Sequence, residues 1–302
     1  MADREYFAKP DKRKMSKEGG RQKQNIKMAA KKLIIIGGGN MGYAIADGIS
    51  KKRIFTRENI LFVEKKIERI KHLKNKRYFA SNNLINIITK NKRNIEAIIL
   101  AVKPNDFSES ISPLKKSISK DTLIISIMAG VKIQSIESQL GKSQPIARVM
   151  PNTPCQIAEG ISALSYNQSI TNKKKKIIRR IFTSIGEIAD VKENDLDTVT
   201  AISGSGPAYF CYILESMIDA GIKLGLNNKL SDKLVIQTAK GTLLLLKNRG
   251  LSPEKLRESV TSPRGTTEAA LKIFKKQGLD KIIFSGIKSA KDRGTKLGKL
   301  NK

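Results

Sequence analysis

Apolar and polar positions change their period once along the chain, near residue 193. Before that point, short runs that are apolar at most positions alternate with polar or helix-period segments. The clearest runs are residues 33–36, 60–63, 95–102, 122–127 and 147–150, and the last strand segment covers residues 185–191. Near-continuous apolar runs of this length are typical of parallel strands covered on both faces. The pattern predicts an α/β domain with a mostly parallel sheet over residues 32–192 and an all-α domain over residues 193–302.

The first apolar run ends abruptly in glycines. Gly37, Gly39 and Gly42 have the G-x-G-x-x-G spacing, and a helical pattern follows from Tyr43. In a dinucleotide-binding turn the first glycine permits the tight turn, the second admits the pyrophosphate, and the third lets the helix pack on the strand. Glycine-rich turns also occur in unrelated loops, but the strand before and the helix after favour the phosphate turn of a doubly wound Rossmann domain.

An acidic residue ends the second strand. Glu64 lies about twenty residues beyond Gly42, where an acid can hold the ribose hydroxyls of NAD. A 2′-phosphate would be repelled there unless cations compensate. Because Lys65 and Lys66 follow at once, the sequence leaves the choice between NADH and NADPH open.

Three later strand ends supply further candidates, because the carboxyl ends of the strands border the ligand crevice in such a sheet. Lys103 and Pro104 follow the third strand, and Lys103 is either a cofactor contact or a solvated lysine. Ala129 and Gly130 follow the fourth, where small side chains leave space for a nicotinamide ring. Asn152 lies in a double-proline loop and offers an amide at the crevice.

The all-α region contains two informative stretches. Residues 208–224 are apolar around the whole circumference of a predicted helix, which indicates a domain core and a subunit interface. Residues 261–267 place four hydroxyl side chains and a glycine before a helix predicted over 269–276. Hydroxyls and free N–H groups at a helix start can hold a small carboxylate. Ordinary N-capping is the alternative, although one cap needs fewer hydroxyls.

The net charge is +31, from 58 Lys and Arg against 27 Asp and Glu. A surplus of this size raises the question of nucleic acid. The lysines are scattered through nearly every predicted helix, and aromatic residues make up only 5%, so no stacking platform among basic residues is visible. We expect no specific nucleic-acid partner and only weak attraction to polyanions.

Residues 1–31 are polar and basic, and they predict a disordered tail. Met28 closely precedes the first strand, so the tail is interpreted as an upstream extension of the reading frame. A targeting peptide is the alternative, although four acidic residues and the lack of an apolar core do not suit one. No apolar run approaches the roughly twenty residues that span a bilayer, and we expect no membrane association. Two widely separated cysteines are interpreted as free thiols, which favours the cytoplasm. The single histidine, His72, lies in a Lys-rich helix and argues against histidine-based catalysis or a metal site.

Taken together, the motifs resemble those of the pyrroline-5-carboxylate reductase family over about residues 32–298. The resemblance rests on the order GGGNMG, AVKP, MAG, MPNTP, SGSGPAY and VTSPRGTTEAAL, the last being the most specific. It implies a Rossmann domain followed by an all-α dimerisation domain, with higher assembly of dimers. It also implies reduction of the C=N bond of 1-pyrroline-5-carboxylate to L-proline, the final step of proline biosynthesis, by NADPH or NADH, with NADPH favoured.

The resemblance and the strand ends together define the predicted site. Predicted cofactor contacts are Gly37, Gly38, Gly39, Asn40, Met41, Gly42, Glu64, Lys65, Asn83, Ala101, Val102, Lys103, Pro104, Ala129, Gly130 and Asn152. Predicted substrate contacts are Glu193, Ser259, Ser262, Gly265, Thr266 and Thr267. The family implies that the Thr267 hydroxyl reaches the ring nitrogen, which makes it the catalytic residue. Arg264 occupies a position that is commonly glycine, and Ser259 one where some members have asparagine.

Two other functions fit parts of the chain. A β-hydroxyacid dehydrogenase is also a Rossmann domain followed by helices, and Lys223 and Asn227 form the K-x-x-x-N string that such enzymes use in catalysis. That string falls at the end of a long predicted helix, and the SGSGPAYF turn lacks the lysine expected shortly after it. The non-enzymatic alternative is a redox-sensing or polyanion-binding protein that keeps the nucleotide fold and uses the basic tail.

Overall fold

One eight-stranded sheet organises the first two thirds of the chain. The structure is a computed structural model that describes residues 30–300, except the side chains of 299 and 300, so nearly all of the predicted tail lies outside the described residues. The strands are β1 (Lys32–Ile36), β2 (Ile60–Val63), β3 (Phe79–Ser81), β4 (Ile95–Leu100), β5 (Leu123–Ser126), β6 (Ile146–Pro151), β7 (Gly160–Tyr166) and β8 (Gly186–Asp190). Their spatial order is β3-β2-β1-β4-β5-β6-β7-β8, and only the β6–β7 pair is antiparallel. The predicted doubly wound, mostly parallel sheet is therefore confirmed.

Helices connect most of the parallel strands and make up nearly all of the chain after β8. They are α1 (Asn40–Lys51), α2 (Ile67–Asn75), α3 (Leu84–Asn91), α4 (Phe107–Ile111), α5 (Ile133–Leu140), α6 (Asn172–Thr183), α7 (Leu196–Val199), α8 (Gly206–Lys223), α9 (Asn228–Arg249), α10 (Pro253–Ser259), α11 (Thr266–Lys276) and α12 (Leu279–Leu300). A π-helical turn, Thr200–Gly204, joins α7 to α8. The all-α character of the second region is confirmed, and a domain boundary at residue 193 stays a prediction.

The sheet carries a hydrophobic core on each face. Successive residues of β1 point to opposite sides, so Leu33 and Ile35 join one buried cluster while Ile34 and Ile36 join the other. Each of the four has an exposed fraction of 4% or less. Coverage on both faces explains why the strands are apolar at nearly every position.

The helical region has almost no core of its own. Among residues 193–298, the buried apolar side chains are Leu196, Ala201 and Leu256. Only Gly206 of α8 and Ser231 of α9 are buried, although both helices are rich in apolar residues. Phe210, for example, is 62% exposed. None of the described helices has the combination of length and apolar character that would cross a bilayer.

Candidate active site

The three motif glycines of the phosphate turn meet different surroundings. Gly37 has a φ of +106°, and a Cβ there would lie 2.4 Å from the Ala101 carbonyl oxygen. A Cβ on Gly42 would lie 2.2 Å from the Gly37 carbonyl oxygen, so only glycine lets α1 approach the end of β1. Gly39 is different, because a Cβ there would meet nothing within 4 Å. The first and third glycines are required by the fold, whereas the second keeps a space open.

That space belongs to a cavity of about 1050 Å³ at the carboxyl ends of β1, β2 and β4. The sheet order reverses between β1 and β4, and ligands of doubly wound sheets bind at this switch point. The cavity is as large as the pockets that hold sizeable cofactors. It is lined by Ile36, Gly37, Gly39, Asn40, Val63, Glu64, Lys65, Lys66, Arg69, Asn82, Asn83, Leu84, Ile85, Ala101, Val102, Lys103, Asp106, Glu109, Ser110 and Pro113.

The cavity brings together more than half of the predicted cofactor contacts. The predicted residues that line it are Gly37, Gly39, Asn40, Glu64, Lys65, Asn83, Ala101, Val102 and Lys103. Those outside its lining are Gly38, Met41, Gly42, Pro104, Ala129, Gly130 and Asn152. The Asn152 amide has other partners, because its Oδ1 accepts from the Ile161 N–H at 2.9 Å and its Nδ2 donates to Ser203 Oγ at 3.3 Å. Asn152 therefore holds the start of β7 and the π-helical turn.

Glu64 holds the phosphate turn through the backbone. Its Oε2 accepts from the Gly38 N–H at 2.7 Å, and its Oε1 accepts from the Lys66 N–H at 2.9 Å. Arg69 binds the same turn, because it donates to the Gly38 carbonyl from Nε at 3.0 Å and from Nη2 at 2.7 Å. Sequence reasoning missed Arg69, and its only signal is a cation in the first turn of the helix after Glu64. Both oxygens of the predicted ribose acid are thus already engaged.

The start of α11 presents the predicted substrate loop. Gly265 is its N-cap, and the Gly265 N–H donates to the Ser262 carbonyl at 3.0 Å, which closes a turn. Thr266 and Thr267 lie in the first helical turn, where backbone N–H groups have no intrahelical acceptor. Within the described chain, the hydroxyls of Ser262, Thr266 and Thr267 make no hydrogen bond with another residue. The loop therefore offers unpaired donors to a ligand.

The backbone of this loop is strained at Arg264. Its φ is +59°, a left-handed conformation that costs a non-glycine residue about 1–2 kcal/mol. The Arg264 N–H donates to Glu268 Oε2 at 2.8 Å, and this bond, with help from Lys272, lowers the pKa of the Glu268 carboxyl. Glycine would adopt this backbone without strain, which explains why glycine is common at this position and why arginine is strained here.

Two predicted substrate residues have other partners in the fold. The Ser259 hydroxyl donates to the Leu256 carbonyl at 2.8 Å, within α10. Glu193 Oε1 accepts from the Ile133 N–H at 2.6 Å, at the first residue of α5, and lies 3.5 Å from Arg148 Nη1. Glu193 therefore joins the sheet region to the helices that follow it, and its role in substrate binding stays a prediction.

Arg148 is the centre of this junction, and sequence reasoning missed it because it lies within an apolar strand. The side chain is 4% exposed, and its Nη2 lies 3.2 Å from Asp197 Oδ1. Thr295 of α12 donates from its hydroxyl to the other oxygen of Asp197 at 3.3 Å. One buried guanidinium thus links β6, through two carboxylates, to α5, α7 and α12.

The K-x-x-x-N string has an ordinary structural role. Lys223 is exposed at the last residue of α8, and Asn227 is the N-cap of α9, accepting from the Leu230 N–H at 2.9 Å. The asparagine amide is therefore occupied by capping. These positions give no support to a β-hydroxyacid dehydrogenase.

The switch-point cavity, the glycine turn and the reversed strand order define the class as a Rossmann-type dinucleotide-binding protein. Residues 32–130 match the family model described as NADP oxidoreductase, coenzyme F420-dependent. Residues 193–297 match the model described as pyrroline-5-carboxylate reductase dimerisation. Pyrroline-5-carboxylate reductase 1 of Bacillus subtilis is 34% identical over 268 residues, covering 88% of this chain and 89% of that protein. The chain belongs to the pyrroline-5-carboxylate reductase family.

Other relatives agree over the same span. The pyrroline-5-carboxylate reductase of Pseudomonas aeruginosa is 31% identical and covers 89% of this chain and 98% of its own. A crystal structure of Plasmodium falciparum pyrroline carboxylate reductase with NADP bound has a TM-score of 0.78 at 32% identity, covering 89% of this chain and 98% of that one. The pyrroline-5-carboxylate reductase structure from Coxiella burnetii has a TM-score of 0.80 at 30% identity, with the same coverage. The similarity therefore includes both the sheet and the helices.

Proposed function

We propose that the protein reduces 1-pyrroline-5-carboxylate to L-proline with NAD(P)H, the final step of proline biosynthesis. The observation that carries the proposal is that one chain of this family holds a feature suited to the cofactor and another suited to the substrate. The first is a dinucleotide cavity with open space at Gly39, and the second is a helix start at Thr266 with unpaired donors. A location in the cytoplasm stays a prediction from the sequence.

The cofactor fits the phosphate turn by its chemistry. Gly39 leaves room for the pyrophosphate, and the free N–H groups at the start of α1 favour an anion there. When bound, NAD(P)H supplies the hydride. Ala101, Val102 and Lys103 border the same cavity at the end of β4 and would hold the dinucleotide beyond its pyrophosphate.

The substrate needs an anchor for its carboxylate and a partner for its ring nitrogen. The N–H groups of Thr266, Thr267 and Glu268 at the start of α11 favour the carboxylate, together with the Ser262 hydroxyl. The half-buried Thr267 hydroxyl would bind the nitrogen. An imine can take its proton from water before reduction, so no side-chain acid is needed and positioning supplies most of the acceleration.

We also infer that two copies associate through the helical region. Apolar residues remain exposed on α8, α9 and α12, including Phe210, Leu243 and Phe284 at 62%, 56% and 68%. Exposed apolar surface on several helices is typical of an interface between subunits. The match of residues 193–297 to a dimerisation model supports the same assignment.

The decisive test is an assay of the purified protein. We expect oxidation of NADPH or NADH when pyrroline-5-carboxylate is added and none with aldehydes derived from β-hydroxyacids. Absorbance of the reduced nicotinamide gives the rate, and chromatography of the product should identify proline. Turnover of the aldehydes without turnover of the imine would contradict the proposal.

A further inference from the structure

Lys65 reaches across the cavity to two acids. It follows β2, whereas Asp106 precedes α4 and Glu109 lies within it, both beyond the end of β4. Lys65 Nζ lies 3.4 Å from Asp106 Oδ1 and also pairs with the Glu109 carboxylate. Since β2 and β4 are the two neighbours of β1 in the sheet, a bridge between their ends crosses the phosphate turn. All three residues line the same cavity.

Two other charged groups at the end of β2, Glu64 and Arg69, are held by the phosphate turn, and Lys66 lines the same cavity. Glu64 accepts from the backbone N–H groups of Gly38 and Lys66, and Arg69 donates twice to the Gly38 carbonyl. Of the cations at this end of β2, Lys65 is the one whose ion pairs reach the opposite wall of the cavity. The adenine-side ribose of a dinucleotide binds at the end of the second strand, so a 2′-phosphate would lie close to Lys65.

We propose that Lys65, Asp106 and Glu109 form a strap across the cofactor cleft, and that release of Lys65 from the strap to a 2′-phosphate makes the protein prefer NADP(H). This inference rests on the proposed dinucleotide binding. Entry of either dinucleotide opens the strap. NADP(H) then gives Lys65 a new anion, whereas NAD(H) leaves the lysine without one.

Exposure and charge support a strap that opens easily. The side chains of Lys65, Asp106 and Glu109 are 56%, 41% and 68% exposed, and exposed ion pairs are weak. A phosphate monoester carries nearly two charges and three strong acceptor oxygens, so it competes well against two separate carboxylates. The hydrogen bond to Glu109 raises the pKa of the Lys65 ammonium, so the lysine is fully charged in the strap.

The test measures binding, separately from turnover. Dissociation constants of NADPH, NADH and adenosine 2′,5′-bisphosphate are measured by fluorescence or calorimetry for three proteins: the unaltered chain, Lys65→Met, and the double variant Asp106→Asn with Glu109→Gln. For Lys65→Met we expect NADPH and the bisphosphate to bind about tenfold or more weakly, while NADH binds equally or more tightly. For the double variant we expect all three to bind more tightly, because Lys65 is free.

Lys71→Met is the matched control, since it removes one exposed lysine from α2 outside the cavity lining. It should leave all three dissociation constants within about twofold. An unchanged ratio of NADPH to NADH affinity in Lys65→Met, or unchanged affinities in the double variant, would overturn the strap. If the unaltered chain bound neither dinucleotide, the proposed function itself would fail instead.

Discussion

A side chain added to the phosphate turn has a different effect at each glycine. At Gly39 it should weaken dinucleotide binding, and at Gly42 it should lower folding stability. Gly39 has φ −66° and ψ −175°, which any residue adopts, and its missing side chain faces open space. We expect Gly39→Val to fold normally and to weaken dinucleotide binding by about a hundredfold or more, because the new methyl groups occupy the pyrophosphate position. Equilibrium binding of NADPH, together with thermal unfolding of the same sample, measures both properties.

Gly42→Ala is the matched comparison in the same turn. Its Cβ would meet the Gly37 carbonyl at 2.2 Å, and backbone there cannot move aside. The variant should lose about 1–3 kcal/mol of folding stability, the typical cost of overpacking. A stable Gly42→Ala protein, or a Gly39→Val protein that binds NADPH normally, would refute this division of roles.

At Thr267, the change to alanine should remove one oriented hydrogen bond and leave the backbone anion site intact. A hydrogen bond placed where charge changes is worth roughly 2–4 kcal/mol at the transition state, so turnover should fall by about thirty- to a thousandfold. Dinucleotide affinity should stay unchanged, because Thr267 is outside the cavity lining. Steady-state kinetics and NADPH titration of the same preparation test this.

Thr261→Ala controls for a hydroxyl lost from the same segment. The Thr261 hydroxyl lies just beyond α10 and donates to the Arg257 carbonyl in that helix at 2.6 Å, so its loss should change turnover by no more than about twofold. Near-normal turnover in Thr267→Ala, or a loss of NADPH binding, would remove Thr267 from the proposed substrate site.

At the scale of elements, periodicity predicted the strands that are buried on both faces. β1, β2, β4, β5 and β6 all lie within or close to their predicted ranges, and so does the more exposed β8. Two strands were missed. β3 has only three residues, with Phe79 exposed, and β7 contains glycine, alanine and three hydroxyl residues. The strand β7 is stabilised by pairing with β6 and β8, which no local pattern records.

The candidate site also has a part that the sequence predicts and a part that it does not. Contacts at the ends of β1, β2 and β4 follow from chain order, because parallel strands end at one edge of the sheet. The partners of Glu64, Glu193 and Asn152 do not, since each side chain binds a group distant in sequence. Sequence position placed these side chains near the site, and only tertiary contacts determine what they bind.

The Arg148 junction yields a prediction at this scale. Arg148→Met should lower the free energy of unfolding by about 2–4 kcal/mol, because it leaves Glu193 and Asp197 facing an apolar side chain. The free energy of unfolding of Arg148→Lys should lie between those of the unaltered protein and Arg148→Met, since a lysine cannot bind both carboxylates in the same planar geometry. Urea unfolding at one fixed protein concentration gives the comparison.

Arg179→Met provides a control with an exposed pair. Arg179 and its partner Asp190 are 46% and 54% exposed, so the unfolding midpoint should move little. Equal loss of stability in the Arg179 and Arg148 variants would show that burial of the junction contributes nothing.

At the scale of the whole molecule, the cofactor cavity and the substrate loop are separate features of one chain. Every described residue that lines the cavity falls between Ile36 and Pro113, whereas the loop falls between Ser262 and Thr267. The two helices that follow the loop, α11 and α12, keep apolar residues exposed, including Ile273 and Phe284 at 56% and 68%. Association of two copies would cover these faces and could bring the loop of one to the cavity of the other.

Mixed dimers of two inactive variants test that arrangement. Gly39→Val disables the cavity and Thr267→Ala disables the loop, so a site built within one subunit stays defective in every mixed dimer. A site shared between subunits behaves differently, because one of the two sites in a mixed dimer combines an intact cavity with an intact loop. Random association should then restore about a quarter of the unaltered activity, since half of the dimers are mixed and each has one working site.

Co-expression with two different affinity tags isolates the mixed dimers, in which about half of the activity should return, and sedimentation verifies their size. Mixed-tag dimers of Gly39→Val alone and of Thr267→Ala alone together provide the background rate. A stable, fully active monomer, or purified mixed dimers no more active than this background, would contradict a shared site.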